Sequence, residues 1–425
     1  MSWLINGKST KDEKEVMRAF NLKYAPMVKS LIDTDLYKFS MGQVYHHQWA
    51  SDHAIWDFKA RNVGEGLPHG KYDHADCEEI INQLKAYCAL QFDTDELSFM
   101  NERFPWIQDN YTNFLSFWHP KFEDFEITES GISGIEIHFS GVQEYISYYE
   151  IPLLEITAET YYRNHYDYEE LLLKFKTETK EKIDKIKRGE YDLGVFSEFG
   201  ARRRLSYEAQ EHVVKALKES GIKGFMGTSN VYLAMKYDLN AAGTMAHEFI
   251  MSVGQGHPEY NPAYSNKYAL ESWVKEYSTW NGTALTDTIT TDCFLKDFQR
   301  TFSNLFSGVR HDSGDPYEWG DKMIAHYKSF GIDPMTKTLL FSDGLNGEIA
   351  SSINRYFKGK AKVAFGIGTW WSAPQGIKPL NIVAKTALIN GSDVAKLSDA
   401  DGKNMCRNPE YIDYLKRTIE WRMKH

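Results

Sequence analysis

Cysteine is scarce in this chain of 425 residues: it occurs four times, and no two cysteines have the spacing of a metal-binding pair. This scarcity excludes a metal centre built from neighbouring cysteines. It predicts buried, reduced thiols in a cytoplasmic protein.

Long apolar runs, internal repeats and basic blocks are also lacking. The sequence has no apolar run long enough to cross a bilayer and too few apolar residues near its start for a signal peptide, so we expect no membrane association. The formal net charge is −10, and no arginine-rich face argues for nucleic acid. An acidic protein that binds anionic substrates must concentrate its positive charge locally, which draws attention to Arg202, Arg203, Arg204 and Arg310.

The succession of apolar and polar segments predicts an α/β protein with two domains. Residues 1–150 predict a smaller N-terminal α+β domain, of which 1–25 form a loosely held extension. In residues 151–400, short apolar runs alternate with polar or glycine-rich loops and helices, which predicts a parallel sheet that closes into a barrel. Residues 401–425 are expected to form a C-terminal helical segment.

The segment from Leu305 to Pro316 has the composition of a phosphate-binding loop. Leu305 to Val309 predict a buried strand, and the following loop combines a cation, carboxylates, a hydroxyl and bare backbone, in Arg310, Asp312, Ser313, Gly314 and Asp315. These groups are what a phosphate and its Mg²⁺ need. The alternative is a polar loop that only turns the chain.

Reactive side chains follow several other predicted strands. His247, beside Glu248, is a candidate nucleophile toward a phosphoryl group, with the carboxylate orienting its ring, although a lone histidine is more often structural. Asp287 can hold a cation or stabilise an oxocarbenium charge, or simply form a strand-end hydrogen bond. Asp343 and Gly344 could contact ribose hydroxyls, or they could form a helix cap. The glycine loop could bind a terminal phosphate, or it could be a plain turn; its members are Gly366, Gly368 and Thr369.

Aromatic and cationic residues that suit a flat acid lie elsewhere. Phe199 and the Arg202–Arg204 run offer a ring for stacking and guanidinium groups for a carboxylate. Tyr37 offers a second flat face, with core packing as the competing explanation. Three consecutive arginines cannot all point the same way, so at least one is expected to face solvent or an interface.

As a set, these segments resemble the nicotinate phosphoribosyltransferase family. The matching segments occur in the order of that family: Thr34-Asp-Leu-Tyr-Lys-Phe-Ser-Met41, Ser197-Glu-Phe-Gly-Ala-Arg-Arg-Arg204, Gly227-Thr-Ser-Asn230, Gly243-Thr-Met-Ala-His-Glu248, Arg310-His-Asp-Ser-Gly-Asp-Pro316, Ser342-Asp-Gly344 and Gly366-Ile-Gly-Thr369. The resemblance implies a type II phosphoribosyltransferase with an irregular, TIM-like α/β barrel. It also implies a homodimer with active sites at the subunit interface.

The implied reaction converts nicotinate and phosphoribosyl pyrophosphate into nicotinate mononucleotide and pyrophosphate, the first step of NAD salvage from nicotinate. It is coupled to ATP hydrolysis, in the manner of a ligase, with Mg²⁺ and without an organic cofactor. By resemblance, His247 is a transiently phosphorylated histidine, and Asp287 and Asp312 lie around ribose and Mg²⁺. The remaining implied contacts are Tyr37 (lent by the neighbouring subunit) and Phe199 on the pyridine ring, Arg310 on its carboxylate, Arg202 near base and phosphates, Asp343 and Gly344 on ribose, and Gly366 and Gly368 on the 5′-phosphate.

Ser229 bears on the choice of base. Relatives that use nicotinamide carry an aspartate after the Gly-Thr pair, which would repel nicotinate, whereas a serine can donate to it. Nicotinamide- or quinolinate-specific enzymes stay as alternatives within the class. A carbohydrate-acting barrel, suggested by the many aromatic residues, would need a carboxylate pair at glycosidase separation and would leave His247 without a role. A non-enzymatic scaffold fits poorly with polar residues at so many strand ends.

Overall fold

A computed structural model describes residues 2–60, 67–399, 404 and 406–425. Its strands are β1 (Ser2–Ile5), β2 (Lys8–Thr10), β3 (His53–Ala60), β4 (Leu90–Gln91), β5 (Phe125–Thr128), β6 (Glu136–Val142), β7 (Val195–Glu198), β8 (Phe225–Thr228), β9 (Asn240–Ala241), β10 (Thr283–Leu285), β11 (Gly308–His311), β12 (Thr338–Phe341), β13 (Lys362–Ile367), β14 (Ile382–Ile389) and β15 (Ser392–Asp393).

The α-helices lie between these strands along the chain, singly or in runs of two or three, and one follows the last strand. They are α1 (Glu13–Phe20), α2 (Tyr37–Gln48), α3 (His74–Cys88), α4 (Thr94–Arg103), α5 (Asp109–Phe117), α6 (Gln143–Ile146), α7 (Glu150–His165), α8 (Tyr168–Lys187), α9 (Tyr207–Ser220), α10 (Val231–Lys236), α11 (His247–Gln255), α12 (Ser265–Tyr277), α13 (Thr291–Asp297), α14 (Arg300–Leu305), α15 (Pro316–Ser329), α16 (Gly347–Phe357), α17 (Thr369–Ser372) and α18 (Pro409–Lys424).

The predicted barrel is a curled parallel sheet of seven strands in the order β10-β11-β12-β13-β7-β8-β9. Its edge strands lie close together, because the Thr244 hydroxyl, in the loop after β9, donates to the Thr283 carbonyl of β10 at 2.8 Å. The carboxyl ends of parallel strands share one rim, which is the rim where barrel active sites form. The α/β fold with an irregular barrel is thereby confirmed.

A five-stranded antiparallel sheet, in the order β15-β14-β3-β6-β5, covers that rim. Strand β14 belongs to the range assigned by sequence to the barrel, yet it pairs antiparallel with β3 of the N-terminal range, Ile382 opposite Ala60 and Ile389 opposite Ala54. The chain therefore returns to its first domain near its end. A division by sequence position does not detect such a return, because strand pairing is set by packing.

The first residues also differ from expectation. Instead of a loose extension, residues 2–20 form β1, β2 and α1, and β1 pairs with β4. Trp3 and Val16 have no exposed surface. A large aromatic residue that is buried completely removes enough apolar surface from water to hold a short segment in place.

Two predicted strands are displaced along the chain. Leu305 ends helix α14, and the strand begins only at Gly308, so Arg310 and His311 lie within β11 rather than in the loop. The apolar run from Ala241 to Ala246 also predicts a strand, but strand β9 ends at Ala241, and residues 242–246 form a loop before α11. Short apolar runs do not distinguish the end of a buried helix from a strand, which explains the first of these errors.

The helix boundaries agree with the capping residues in the sequence more closely than the strand boundaries agree with the apolar runs. Helix α9 starts after Ser206, whose side chain accepts from the Ala209 amide, and ends at Gly221 with a φ of 70°. Pro316 opens α15, and Asp315 caps it. Among the described residues, no helix is long and apolar enough to cross a membrane. The carboxyl-terminal segment is helical, as predicted, in α18.

Candidate active site

A cleft of about 430 Å³ lies between the carboxyl rim of the barrel and strand β14. Six of the residues that the sequence singles out line it: Arg202, Arg203, His247, Glu248, Asp312 and Asp343. They follow four separate strands and are spread from position 202 to position 343 of the chain. The fold therefore brings cation, imidazole and carboxylates to one concave site, as the sequence predicts.

His247 is the centre of a carboxylate cluster on this rim. Its Nε2 lies 3.0 Å from Oδ1 of Asp287 and 3.6 Å from Oδ2 of Asp312. Ligand atoms of these three residues all lie within 4.8 Å of one another, close enough to share a metal ion. The first position of α11 holds the histidine at the mouth of the cleft, whereas Asp287 lies below it and is 1% exposed.

The second oxygen of Asp287 is held as firmly as the first. Oδ2 accepts a 2.6 Å hydrogen bond from the Ser313 hydroxyl and forms a 3.0 Å ion pair with Lys396. Burial alone would raise the pKa of Asp287, but the His247 ring and the Lys396 ammonium hold it well below its usual range. Burial and Lys396 lower the pKa of His247, against the opposing effect of Asp287. At neutral pH the pair is therefore a carboxylate beside a neutral imidazole.

Asp312 approaches the same ring nitrogen of His247 as Asp287 does. Its Oδ1 accepts a 2.9 Å hydrogen bond from Ser342, which precedes Asp343. Burial opposes ionisation, but Arg310 and then His247 lower the pKa of Asp312 below its usual value. The loops after β11 and β12 are thereby joined across the rim.

The rest of the predicted phosphate loop has a more local geometry. Gly314 is exposed with a φ of 84°, a conformation that favours glycine, and Gly344 has a φ of 61°. Asp315 is exposed, and its Oδ1 accepts from the amides of Tyr317 and Glu318. Asp315 is therefore the N-cap residue of α15, and its predicted contact with substrate stays a prediction.

Phe199 explains why the glycine loop needs a glycine. A methyl group built on Gly366 would lie 2.3 Å from the Phe199 ring, and one on Gly368 would lie 3.0 Å from the Phe199 carbonyl. Gly366 is the fifth residue of β13, and Thr369 begins the short helix α17. Phe199 can therefore occupy its position only because the loop has glycines at positions 366 and 368.

Arg310 and Phe199 line a second cavity, of about 200 Å³, inside the barrel. Nη1 of Arg310 donates to the Met245 carbonyl at 3.0 Å, which ties the arginine to the loop before His247. Gly243 and Thr244 of that loop face the inner cavity, whereas Ala246 and His247 face the cleft. One short loop therefore borders both spaces.

The three consecutive arginines point in different directions, as expected. Arg202 donates to the Tyr37 hydroxyl from Nη2 at 2.6 Å, and Arg203 donates to the Ile382 carbonyl at 3.2 Å. Arg204 is completely buried and binds both oxygens of Asp33, at 2.8 and 3.1 Å. The first two line the cleft, and the third is part of the core.

Tyr37 and Ser229 lie behind the cleft rather than in its lining. Tyr37 is 6% exposed within its own chain, and its contribution to the site of a neighbouring subunit stays a prediction. The Leu36 amide donates to the Ser229 carbonyl at 2.8 Å, so the two segments are joined by the backbone. Ser229 is 3% exposed and lies beside the buried carboxyl of Asp35, whose pKa is raised by burial.

The sequence missed several residues that line the cleft. Lys396 is 6% exposed, and nothing in its local sequence distinguishes it from a surface lysine. Glu248 was expected to orient the His247 ring, but Asp287 does so, and Glu248 pairs with Lys38 instead. Successive residues of a helix point about 100° apart, so neighbours in sequence do not face each other. The other unpredicted lining residues include Trp56, Glu150, Asn381 and Lys385.

A parallel barrel with a cation, an imidazole and carboxylates on its carboxyl rim defines the class: an α/β-barrel enzyme with a site for an anionic substrate. Within that class, the chain belongs to the nicotinate phosphoribosyltransferase (NAPRTase) family. The family model matches residues 195–422, and that of its N-terminal domain matches residues 32–158.

Curated relatives and solved structures agree with this assignment. Nicotinate phosphoribosyltransferase 1 of Pseudomonas aeruginosa is 40% identical over 403 residues, covering 92% of this chain and 97% of that protein. The enzyme of Acinetobacter baylyi is 40% identical over 407 residues, covering 94% and 98%. A crystal structure of nicotinate phosphoribosyltransferase from Porphyromonas gingivalis superposes with a TM-score of 0.83 at 30% identity, covering 92% of this chain and 99% of that one. One from Vibrio cholerae superposes with a TM-score of 0.83 at 32% identity, covering 93% and 94%.

Proposed function

We propose that this enzyme joins nicotinate to the ribose of phosphoribosyl pyrophosphate, giving nicotinate mononucleotide and pyrophosphate as the first step of NAD salvage from nicotinate. The observation that carries the proposal is the convergence of Arg202, His247, Asp312 and Asp343 on one cleft in a member of this family. Asp287, which holds His247 from below, completes the set.

The residues of the cleft suit the chemistry of the transfer. As pyrophosphate leaves, C1′ of the ribose becomes positively charged, and the carboxylates of Asp287 and Asp312 stabilise that charge. Arg310 and Phe199, together in the inner cavity, suit the carboxylate and the ring of the base. Holding the ring nitrogen in line with C1′ then makes attack effectively unimolecular.

The two carboxylates also fit the Mg²⁺ that the reaction implies. Hard oxygen ligands suit Mg²⁺, which commonly takes one or two carboxylates together with substrate phosphates. Both oxygens of Asp287 already have partners in His247, Ser313 and Lys396, so Asp312 is the more available ligand. When bound, Mg²⁺ would draw charge from the departing pyrophosphate.

We further propose that ATP phosphorylates His247. With Nε2–H directed at the Asp287 carboxylate, the lone pair is on Nδ1, which is the nucleophilic nitrogen of that tautomer. The lowered pKa of His247 keeps the ring neutral and therefore reactive. A phosphoryl group on this ring adds about two negative charges to the wall of the cleft, enough to change its affinity for a sugar phosphate.

Replacing His247 with alanine should remove the stimulation of turnover by ATP while leaving a folded protein. The ring contributes a nucleophile and contacts to two carboxylates but little of the core. Steady-state rates with and without ATP, together with a thermal melt, measure both effects. His257→Ala is the matched control, because His257 also lies beside a carboxylate, 3.2 Å from Asp52, but does not line the cleft. ATP stimulation that survives in His247→Ala would refute the role.

The experiment that tests the function is turnover of phosphoribosyl pyrophosphate with each of three bases: nicotinate, nicotinamide and quinolinate. We expect product with nicotinate, and more of it with ATP. Preference for another base would move the enzyme to one of the alternatives within the class. Hydrolysis of a glycoside without any transfer to a pyridine base would favour a carbohydrate-acting barrel.

Replacing Ser229 with aspartate should weaken the use of nicotinate. The new carboxylate would repel the negatively charged nicotinate, because two like charges about 4 Å apart repel by about 1–4 kcal/mol. We therefore expect the KM for nicotinate to rise about tenfold or more relative to Ser229→Asn, which has the same shape without the charge. Equal KM values for the two variants would contradict the selectivity argument.

We also propose a cytoplasmic homodimer with its active sites near the subunit interface. The four cysteines are all free, which agrees with a reducing compartment. Light scattering of the purified protein, with site-directed crosslinks near the cleft, tests the assembly.

A further inference from the structure

Lys38 is a completely buried lysine whose ammonium lies between two carboxylates. Its Nζ is 2.7 Å from Oε2 of Glu150 and forms a second ion pair with Oε2 of Glu248. The indole of Trp56 lies 5.0 Å from the same ammonium. Burying an ammonium costs several kcal/mol unless its partners are placed well, so two well-placed carboxylates are what makes this position tolerable.

One of the two carboxylates belongs to the residue that follows His247 in the sequence. Glu248 is the second residue of α11, and His247 is the first. The ion pair with Lys38 therefore anchors the first turn of the helix that presents the imidazole to the cleft. Lys38 comes from α2, 210 residues earlier in the chain, so this anchor joins two domains.

The other carboxylate leads to the residues proposed to surround the base. Oε1 of Glu150 is 4.0 Å from Nε of Arg202, and the Tyr37 hydroxyl donates to Oε2 at 3.4 Å. Arg202 in turn donates to the Tyr37 hydroxyl. Burial disfavours the charged form of Glu150, but Lys38 and Arg202 outweigh it and lower its pKa to about 2. At neutral pH Glu150 is therefore a fixed negative charge between two cations. Burial, together with the charge of Glu150 and against that of Lys38, raises the pKa of Glu248 to about 8, so Glu150 is the stronger counter-charge of the ammonium.

We infer that Lys38 is a positioning residue that couples the His247 side of the cleft to the Tyr37–Arg202 side. Its ammonium is shared between Glu248 and Glu150. A shift of the first turn of α11 moves Glu248, which changes how strongly the ammonium neutralises Glu150 and therefore how strongly Glu150 attracts Arg202. Ligands on the two sides then alter each other's affinity, and linkage makes the effect reciprocal. The inference rests on the proposed function, since it assigns the route by which phosphorylation of His247 reaches the base.

The coupling is measured as the ratio of the nicotinate KM without ATP to the KM with ATP, at saturating phosphoribosyl pyrophosphate. In the unaltered enzyme we expect a ratio of about five or more, the lower end of typical allosteric coupling. Lys38→Met should bring the ratio close to one, and Lys38→Arg, which keeps the charge, should restore part of it. Glu248→Met tests the same link from the other end and leaves the Lys38–Glu150 pair in place. The double variant Lys38→Met/Glu248→Met should lose no more coupling than Lys38→Met alone, because both changes break one link.

The matched control is Lys337→Met. Lys337 is another buried lysine, bonded to the carbonyls of Asn304 at 2.9 Å and Phe306 at 2.6 Å, and it does not line the cleft. Its loss should lower the melting temperature without changing the KM ratio. If Lys38→Met does not fold, Glu248→Met decides the question.

The outcomes separate the inference from the proposed function. An unaltered enzyme with a KM ratio above one, together with folded variants that keep that ratio, overturns the role of Lys38 alone. A ratio of one in the unaltered enzyme overturns the proposed ATP coupling and the inference with it. Loss of the ratio in the Lys38 and Glu248 variants, but not in Lys337→Met, supports both.

Discussion

Replacing Asp287 with asparagine should lower kcat/KM for nicotinate by about 100-fold or more, the size of effect that follows loss of one preorganised electrostatic contact. The carboxylate orients His247 through Oδ1 and neutralises Lys396 through Oδ2, at 3.0 Å in each case. An amide keeps the shape but presents an N–H to one of these donors. Both the tautomer of the imidazole and the charge opposite the ribose are then lost.

The measurement is a full kinetic analysis of Asp287→Asn beside Asp297→Asn. Asp297 is also a buried aspartate in an ion pair, but its partner is Arg422, whereas Asp287 bonds His247 and Lys396 of the cleft lining. We expect the control to lose stability and to keep its rate. Equal rates for the unaltered enzyme and Asp287→Asn, both folded, would remove Asp287 from the mechanism.

Replacing Arg204 with methionine should destabilise the protein by about 3–5 kcal/mol, the usual cost of removing one partner from a buried ion pair. Arg204 has no exposed surface, binds both oxygens of Asp33 and lies 3.1 Å from Oε1 of Glu155. Burial raises the pKa of Glu155 well above its usual value, against the opposing charge of Arg204. Without the guanidinium, two carboxyl groups stay buried with no cation.

Chemical denaturation monitored by tryptophan fluorescence measures this loss. Arg203→Met is the control, because Arg203 is only half-buried and donates to the backbone carbonyl of Ile382, so we expect a smaller loss of stability than for Arg204→Met. Adding Asp33→Asn and Glu155→Gln to Arg204→Met should recover part of the stability, since the uncompensated charges are then gone. Equal denaturation midpoints for Arg204→Met and Arg203→Met would show that the ion pairs of Arg204 make no net contribution to stability.

The sequence predicted the α/β class and the position of the site because both depend on short segments. Apolar runs mark the parallel strands, and polar residues after them must meet at the shared carboxyl rim, as His247, Asp312 and Asp343 do. Helix caps such as Ser206 and Asp315 act within four residues of themselves, so local chemistry defines them.

The same local reasoning failed wherever the partner is distant. It treated residues 2–20 as an extension, although Trp3 is buried, and it placed Arg310 in a loop, although it lies within β11. It also assigned the wrong carboxylate to His247, because a neighbour in sequence looks like a neighbour in space. The contribution of Tyr37 across a subunit interface and the roles of individual site residues stay predictions.

The sequence by itself therefore determined the family, the barrel and the rim on which the chemistry is proposed to occur. Only the tertiary structure decided which buried charges pair: Lys396 with Asp287, Lys38 with Glu150 and Glu248, and Arg204 with Asp33. The physical reason is that a buried ion pair is chosen by the packing of whole sheets and helices. The residues adjacent to a lysine in the sequence do not predict which carboxylate, about two hundred positions away, will neutralise it.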